Sequence, residues 1–81
     1  MKKVKKWTKE HGKSMRVRRR YLDMGLKAMS YRLKRDHGVD VSMTTLYSYE
    51  NGNGRADPNI EAIAKVLGCT PRQLGRVPQL R

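Results

Sequence analysis

Acidic side chains are what this sequence most lacks: seven Asp plus Glu stand against nineteen Lys plus Arg, for a net charge of +12. A surplus of that size on 81 residues favours a polyanionic partner, either nucleic acid or an anionic membrane surface. Much of it is local. Residues 1–20 hold Lys2, Lys3, Lys5, Lys6, Lys9, Lys13, Arg16, Arg18, Arg19 and Arg20 against the single acid Glu10. A surface charged only for solubility would mix both signs along the chain. Cysteine is nearly absent too. Cys69 alone excludes an internal disulfide and a thiolate zinc cage, so a reducing cytoplasm is the expected compartment. No apolar run reaches the length of a signal peptide or a membrane span, and neither secretion by that route nor a transmembrane segment is expected. No internal repeat is visible, and the length suits one domain with one modest core.

Catalytic groupings are missing as well. His11 and His37 lie far apart, each beside a glycine, and neither has metal-ligand spacing to a carboxylate or to Cys69. The "GNG" of residues 52–54 is too short to cradle nucleotide phosphates and no Lys-Ser or Lys-Thr follows it. The five methionines are scattered and read as core gap-fillers rather than as a promiscuous groove. With no nucleophile, acid–base pair or cofactor box, the expectation is no enzyme, no cofactor, no metal and no small-molecule ligand.

What is present is helical punctuation. Residues 1–13, "MKKVKKWTKEHGK", carry dense like charge and little apolar surface, and read as a flexible basic arm ahead of a domain over 14–81. Trp7 is the exception within that arm, either docking on the domain or serving as an anchor that orders on a partner. Ser14 is a candidate cap for a first helix, "MRVRRRYLDM", with Val17, Tyr21 and Met24 as its inner face and Gly25 as its left-handed stop. In "LKAMSYRLKRDH" the residues Leu26, Met29 and Leu33 share one face, and Gly38 ends the run. Ser42 then suits the N-cap of a third helix reaching about Asn51. Asp57-Pro58 is the expected opening of a fourth, where Ile60, Ile63, Ala64 and Leu67 recur at i, i+3, i+4 and i+7 before Gly68. "TPRQ" supplies a capping box from Thr70 and Gln73 around Pro71. No alternating strand is found. The expected fold is all-α, with four to five short helices around one core.

The segment "TTLYSYENGNGR", residues 44–55, is the most hydroxyl-rich stretch of this basic chain. With 100° per residue, Leu46 and Tyr49 fall on one side of the third helix, the core side. Thr44, Tyr47, Ser48 and Asn51 fall opposite as a polar but uncharged stripe, with Met43 at the exposed N-terminal end. A solvated helix face would ordinarily carry Lys and Glu. Hydroxyls and amides can instead address base edges in a DNA groove, and a Met or Thr methyl can touch the thymine methyl.

"VSMTTLYSYENG", residues 41–52, resembles the recognition-helix signature of the Cro/phage-repressor-like, XRE-type helix-turn-helix family. The following "NGRADPNIEAIAKVLGCTPRQL" is similar to that family's loop, fourth helix and fifth-helix start, so the resemblance covers about residues 14–75 and is strongest over 41–74. It implies a compact lambda-repressor-like fold. It places Met43, Thr44 and Ser48 at base-reading positions, and Ser42 and Thr45 at phosphate-contacting or capping positions. Asn51 and Arg55 fall in the loop that grips the DNA backbone, while Leu46, Tyr49, Ile60, Ile63 and Leu67 fall at core positions. Tyr47 faces outward, toward sugar or phosphate. The family pairs the glutamate at Glu50 with an arginine late in the first helix, and Arg16 to Arg20 supply the candidates. Its usual glutamine at the start of the second helix is absent, leaving Lys27 or Ser30 for that phosphate contact, and Cys69 stands where valine is tolerated. The turn "DHGVDVS" is longer than the family's.

The expected function is therefore a sequence-specific, double-stranded DNA-binding transcriptional regulator of the repressor kind, prokaryotic or phage, cytoplasmic and nucleoid-associated. The third helix, about 43–51, would read the major groove while phosphates are held by Arg18, Arg19, Arg20, Lys27, Arg32, Lys34, Arg35 and Arg55. The arm would follow the backbone or enter the minor groove. Val77 and Leu80 offer a weak two-fold contact for a homodimer on DNA. Two rivals belong to other classes: a charge-driven nucleoid or RNA-binding protein, and an antitoxin or adaptor whose arm folds on a protein partner. The arm is too poor in apolar residues for a membrane helix.

Overall fold

The computed structural model describes residues 7–52 and 59–79, and within them every regular element is a helix. The order is α1 (Lys9–Tyr21), α2 (Leu26–His37), α3 (Met43–Glu50), α4 (Ile60–Leu67) and α5 (Pro71–Leu74). The all-α expectation holds. α3 packs on α1 and α2, α4 packs on α2, α5 and α1, and α5 closes against α1. Met15, Met29, Leu33, Leu46, Ile63 and Leu74 form the fully buried centre, so Met15 and Met29 do fill the core.

The beginning of the chain differs from expectation. Thr8, not Ser14, caps α1: its hydroxyl accepts from the His11 N–H, and His11 Nδ1 accepts from the Thr8 N–H in a reciprocal box. Trp7 is buried on the domain, so the boundary expected at residue 13 falls inside a helix; residues 1–6 lie outside the described residues. The buried face of the helix also differs from the expected one. Its inner face is Gly12, Met15 and Arg19, spaced i, i+3 and i+7, while Tyr21 is 68% exposed rather than inward. Ser14, the expected cap, is buried within the helix and its hydroxyl accepts from Arg18 Nε at 2.9 Å.

The α1–α2 turn is also built differently. Asp23 takes the left-handed conformation at φ 57°, one that Asp tolerates better than most side chains. Gly25 is extended and serves as the N-cap of α2. From there the punctuation holds. Gly38 (φ 67°) ends α2, and its N–H and that of Val39 return to the carbonyls of Lys34 and Leu33. Ser42 caps α3, Gly68 ends α4, and Thr70 with Gln73 boxes α5 around Pro71. Asn59 caps α4 through the Ala62 N–H at 3.1 Å; the expected opening at Asp57-Pro58 lies outside the described residues.

Candidate nucleic-acid interface

α3 is short and has little apolar surface with which to hold itself in place. Of its eight residues only Leu46 and Tyr49 are buried. The remaining restraint is polar and comes from its neighbours. At its N-terminal end the Ser42 hydroxyl accepts from the Thr45 N–H, and Ser42 and Thr45 share a hydroxyl–hydroxyl bond of 3.0 Å. The Ser30 hydroxyl donates to the Val41 carbonyl at 2.6 Å, and Val39 and Val41 pack partly buried against the core. The long turn between α2 and α3 is thereby pinned, and Ser30 is spent on it rather than left for a phosphate.

At the C-terminal end α1 presses from behind. Arg19 is the partner of Glu50, with Nε to Oε2 at 2.6 Å and a second nitrogen to Oε1 at 3.3 Å, and it also donates to the Met24 carbonyl. The pair is nearly withdrawn from water, the side chains being 11% and 5% exposed. Such a pair holds geometry well because losing either partner strands a buried charge. Gly12 allows the close approach, since a Cβ there would lie 2.5 Å from the Tyr49 carbonyl oxygen. The Trp7 indole N–H donates to that same oxygen at 2.7 Å. Burial pushes the Tyr49 phenol up from its ordinary pKa.

The opposite face of α3 is turned away from the core. Met43, Thr44, Tyr47 and Asn51 are exposed and Ser48 is half-buried, as the wheel predicts. Tyr47 is 59% exposed and Met43 46%. Among the described residues no side-chain hydrogen bond engages Met43, Thr44, Tyr47, Ser48 or Asn51, and none of the five carries a charge. The stripe is a run of donors, acceptors and methyls on a helix braced from the other side.

The cations expected to hold phosphate divide in two. Arg18 spends its guanidinium on Ser14 and on the Gln73 carbonyl at 2.9 Å, and Arg19 spends its own on Glu50. Both guanidinium groups are engaged within the fold, Arg18 with a buried hydroxyl and a surface carbonyl and Arg19 with a buried carboxylate, and would have to break those bonds to reach a ligand. Arg20 stays exposed, as do Lys27, Arg32, Lys34 and Arg35 on α2. Arg35 pairs with Asp36 at 2.8 Å and lies over the Tyr31 ring; that hydrogen bond lowers the Asp36 carboxyl below its ordinary pKa. Arg55 lies outside the described residues. The contacts bracing α3 that the sequence did not single out are those of Gly12 with Tyr49 and Glu50 and the Trp7–Tyr49 bond, both between positions remote in the chain.

Cys69 packs partly buried against the core, and burial raises its thiol, in keeping with a small apolar role. Among the described residues no three His, Cys, Asp or Glu side chains come together as metal ligands. Among the same residues no helix is long and apolar enough to cross a membrane.

The fold and this surface define a small all-α domain with one braced, outward-facing helix. Solved structures similar to it include a crystal structure of FeII HppE, at TM-score 0.65 and 23% identity, covering 84% of this chain and 34% of that one. A crystal structure of apo-HppE is similar at TM-score 0.65 and 20% identity, covering 94% of this chain and 45% of that one. The chain thus spans between a third and just under half of the length of those proteins, and at such identities the likeness is one of fold. No family model matches the chain, and no curated protein matches it.

Proposed function

We propose that this chain is a sequence-specific double-stranded DNA-binding regulator, of the repressor kind, that lays α3 in the major groove. The observation that carries the reading is the outer face of α3: uncharged, largely exposed and, among the described residues, without side-chain hydrogen bonds, on a helix fixed from behind by buried polar contacts. Met43, Thr44 and Ser48 meet base edges, where hydroxyls donate or accept and the Met and Thr methyls contact thymine. Ser42, Thr45, Tyr47 and Asn51 border the groove walls. Lys27, Arg20 and the exposed cations of α2 neutralise phosphates, which positions the helix without reading sequence. The resemblance of residues 41–74 to the XRE-type helix-turn-helix family supports the same assignment. So does a net charge of +12 kept off the outer face of α3. The hydroxyls on that face have no carboxylate, imidazole or amine beside them on the helix surface to activate them, and the reading is of a binding protein rather than an enzyme.

Val77, 37% exposed beyond α5, offers a contact for a second copy on a two-fold site. Its expected companion, Leu80, lies outside the described residues. Repression would follow from occupying a duplex that polymerase needs.

Selection of bound duplexes from a random pool at about 150 mM salt tests the proposal. Recovery of a motif, with half-sites about one helical turn apart, is the expected result. With about six phosphates neutralised, the log–log dependence of affinity on salt should have a slope of roughly −5. Binding with that slope but without any motif would replace the regulator by a charge-driven nucleic-acid binder.

A further inference from the structure

We infer that Trp7 is a positioning residue for α3, setting where the helix sits so that its outer face can discriminate one sequence from another. Trp7 lies just outside α1, yet it is 7% exposed and its indole N–H reaches the Tyr49 carbonyl 42 positions away. That oxygen belongs to the last turn of α3, where carbonyls lack a partner within the helix. It accepts from the Gly52 N–H at 2.9 Å and from Trp7 at 2.7 Å, so both lone pairs are used. The Trp7 ring lies 5.4 Å from the Tyr49 ring and 5.0 Å from the His11 ring, and Trp7 is thereby wedged between the start of α1 and the end of α3.

The direction of this contact matters. α3 is pinned near its start by Ser42 and by the Ser30–Val41 bond, while among the described residues the contacts at its far end are those that Trp7 and α1 make with Tyr49 and Glu50. Glu50 is held through a flexible side chain. Trp7 holds the backbone itself. Removing the indole donor lets the end of α3 tilt about its pinned start. Base-edge hydrogen bonds tolerate a few tenths of an ångström, whereas a lysine on a long stem follows a phosphate through a larger shift. Tilt therefore weakens discrimination while leaving the sequence-independent affinity in place.

This inference rests on the DNA reading for its functional half and on backbone geometry for its structural half, and the experiment separates them. Trp7→Phe keeps an aromatic ring and removes the donor. Its affinity for a selected duplex should fall about fivefold, while its affinity for a scrambled duplex is unchanged. In the same variant, amide hydrogen exchange at Asn51 and Gly52 should quicken about fivefold with α4 and α5 unaltered. Arg32→Ala, which removes an exposed cation from α2, should instead lower both affinities alike. If the natural protein discriminates and Trp7→Phe discriminates as well, Trp7 does not position α3 and the inference is overturned while the DNA reading stands. If the natural protein discriminates between no duplexes, the DNA reading fails, and exchange at Asn51 and Gly52 then decides whether Trp7 seats the helix. Faster exchange spread evenly through every helix would reduce Trp7 to a general stabiliser and overturn the inference.

Discussion

α3 and α4 have the same length and opposite means of support. α4 buries Ile60, Ala62, Ile63, Ala64 and Leu67 out of eight residues and is held by apolar area. α3 buries only Leu46 and Tyr49 and is held by directed bonds: a cap at Ser42, the Arg19–Glu50 pair, and the Trp7 indole on its backbone. Apolar support consumes the side chains of the supported helix. Polar bracing uses one carboxylate and one carbonyl, and it leaves Met43, Thr44, Tyr47, Ser48 and Asn51 uncommitted on the outer face. A helix meant to present its side chains gains from being held by its neighbours' side chains.

That contrast can be broken at either helix. The largest effect should come from α4. Ile63→Ala removes a fully buried branched side chain from the core and should cost about 2–5 kcal/mol in denaturant unfolding. Next is α3. Glu50→Gln leaves the Arg19 guanidinium buried without its counter-charge, and should cost about 3 kcal/mol while leaving the helices of the folded protein in place by circular dichroism. Ser42→Ala deletes the N-cap of α3 and should cost about 1 kcal/mol, with faster amide exchange confined to the first turn of that helix.

The smallest effect is a pH dependence at the Trp7 end of the brace. Partial burial lowers the His11 pKa below its ordinary 6.5, so the folded state favours the neutral ring. Its Nδ1 accepts from the Thr8 N–H, which a protonated ring cannot do, and a cation at the start of α1 also opposes the helix dipole. The unfolded chain then binds more protons than the folded one once pH falls through 6.5. The associated stability is present above 6.5 and is lost on acidification through the lowered folded value. His11→Gln retains a capping-box acceptor and cannot titrate. Fluorescence of Trp7, the sole tryptophan, followed in both proteins between pH 7.5 and 5 should shift in the natural protein alone.

Most of this comparison was legible in the residues. Gly38, Ser42, Gly68 and the Thr70-Pro71-Gln73 box ended or began helices where their chemistry predicts. The wheel of α3 separated Leu46 and Tyr49 from the outer stripe correctly. The start of α1 was not legible, because the like-charged run conceals a capping box whose fourth member is His11 rather than the usual Glu or Gln. The inner face of α1 was not legible either. Contact with α3 decides which face of α1 is inward, so the sequence leaves Arg19 as one candidate of several and puts Tyr21 on the wrong side. Nor is the engagement of Arg18 within the fold legible, because its carbonyl partner, on Gln73, lies 55 positions away and carries no side-chain signature.

The central claim is that the outer face of α3 reads sequence while its inner face only holds it. The most direct measurement compares the natural protein with the Thr44→Ala, Ser48→Ala double variant on a selected duplex and on a scrambled one. Both hydroxyls lie on the outer face, so the unfolding free energy should stay within about 0.5 kcal/mol of the natural protein's. The account predicts that affinity for the selected duplex falls by about tenfold or more, while scrambled-duplex binding and its salt slope remain as they were. Equal loss on both duplexes, or no loss on either, would contradict it.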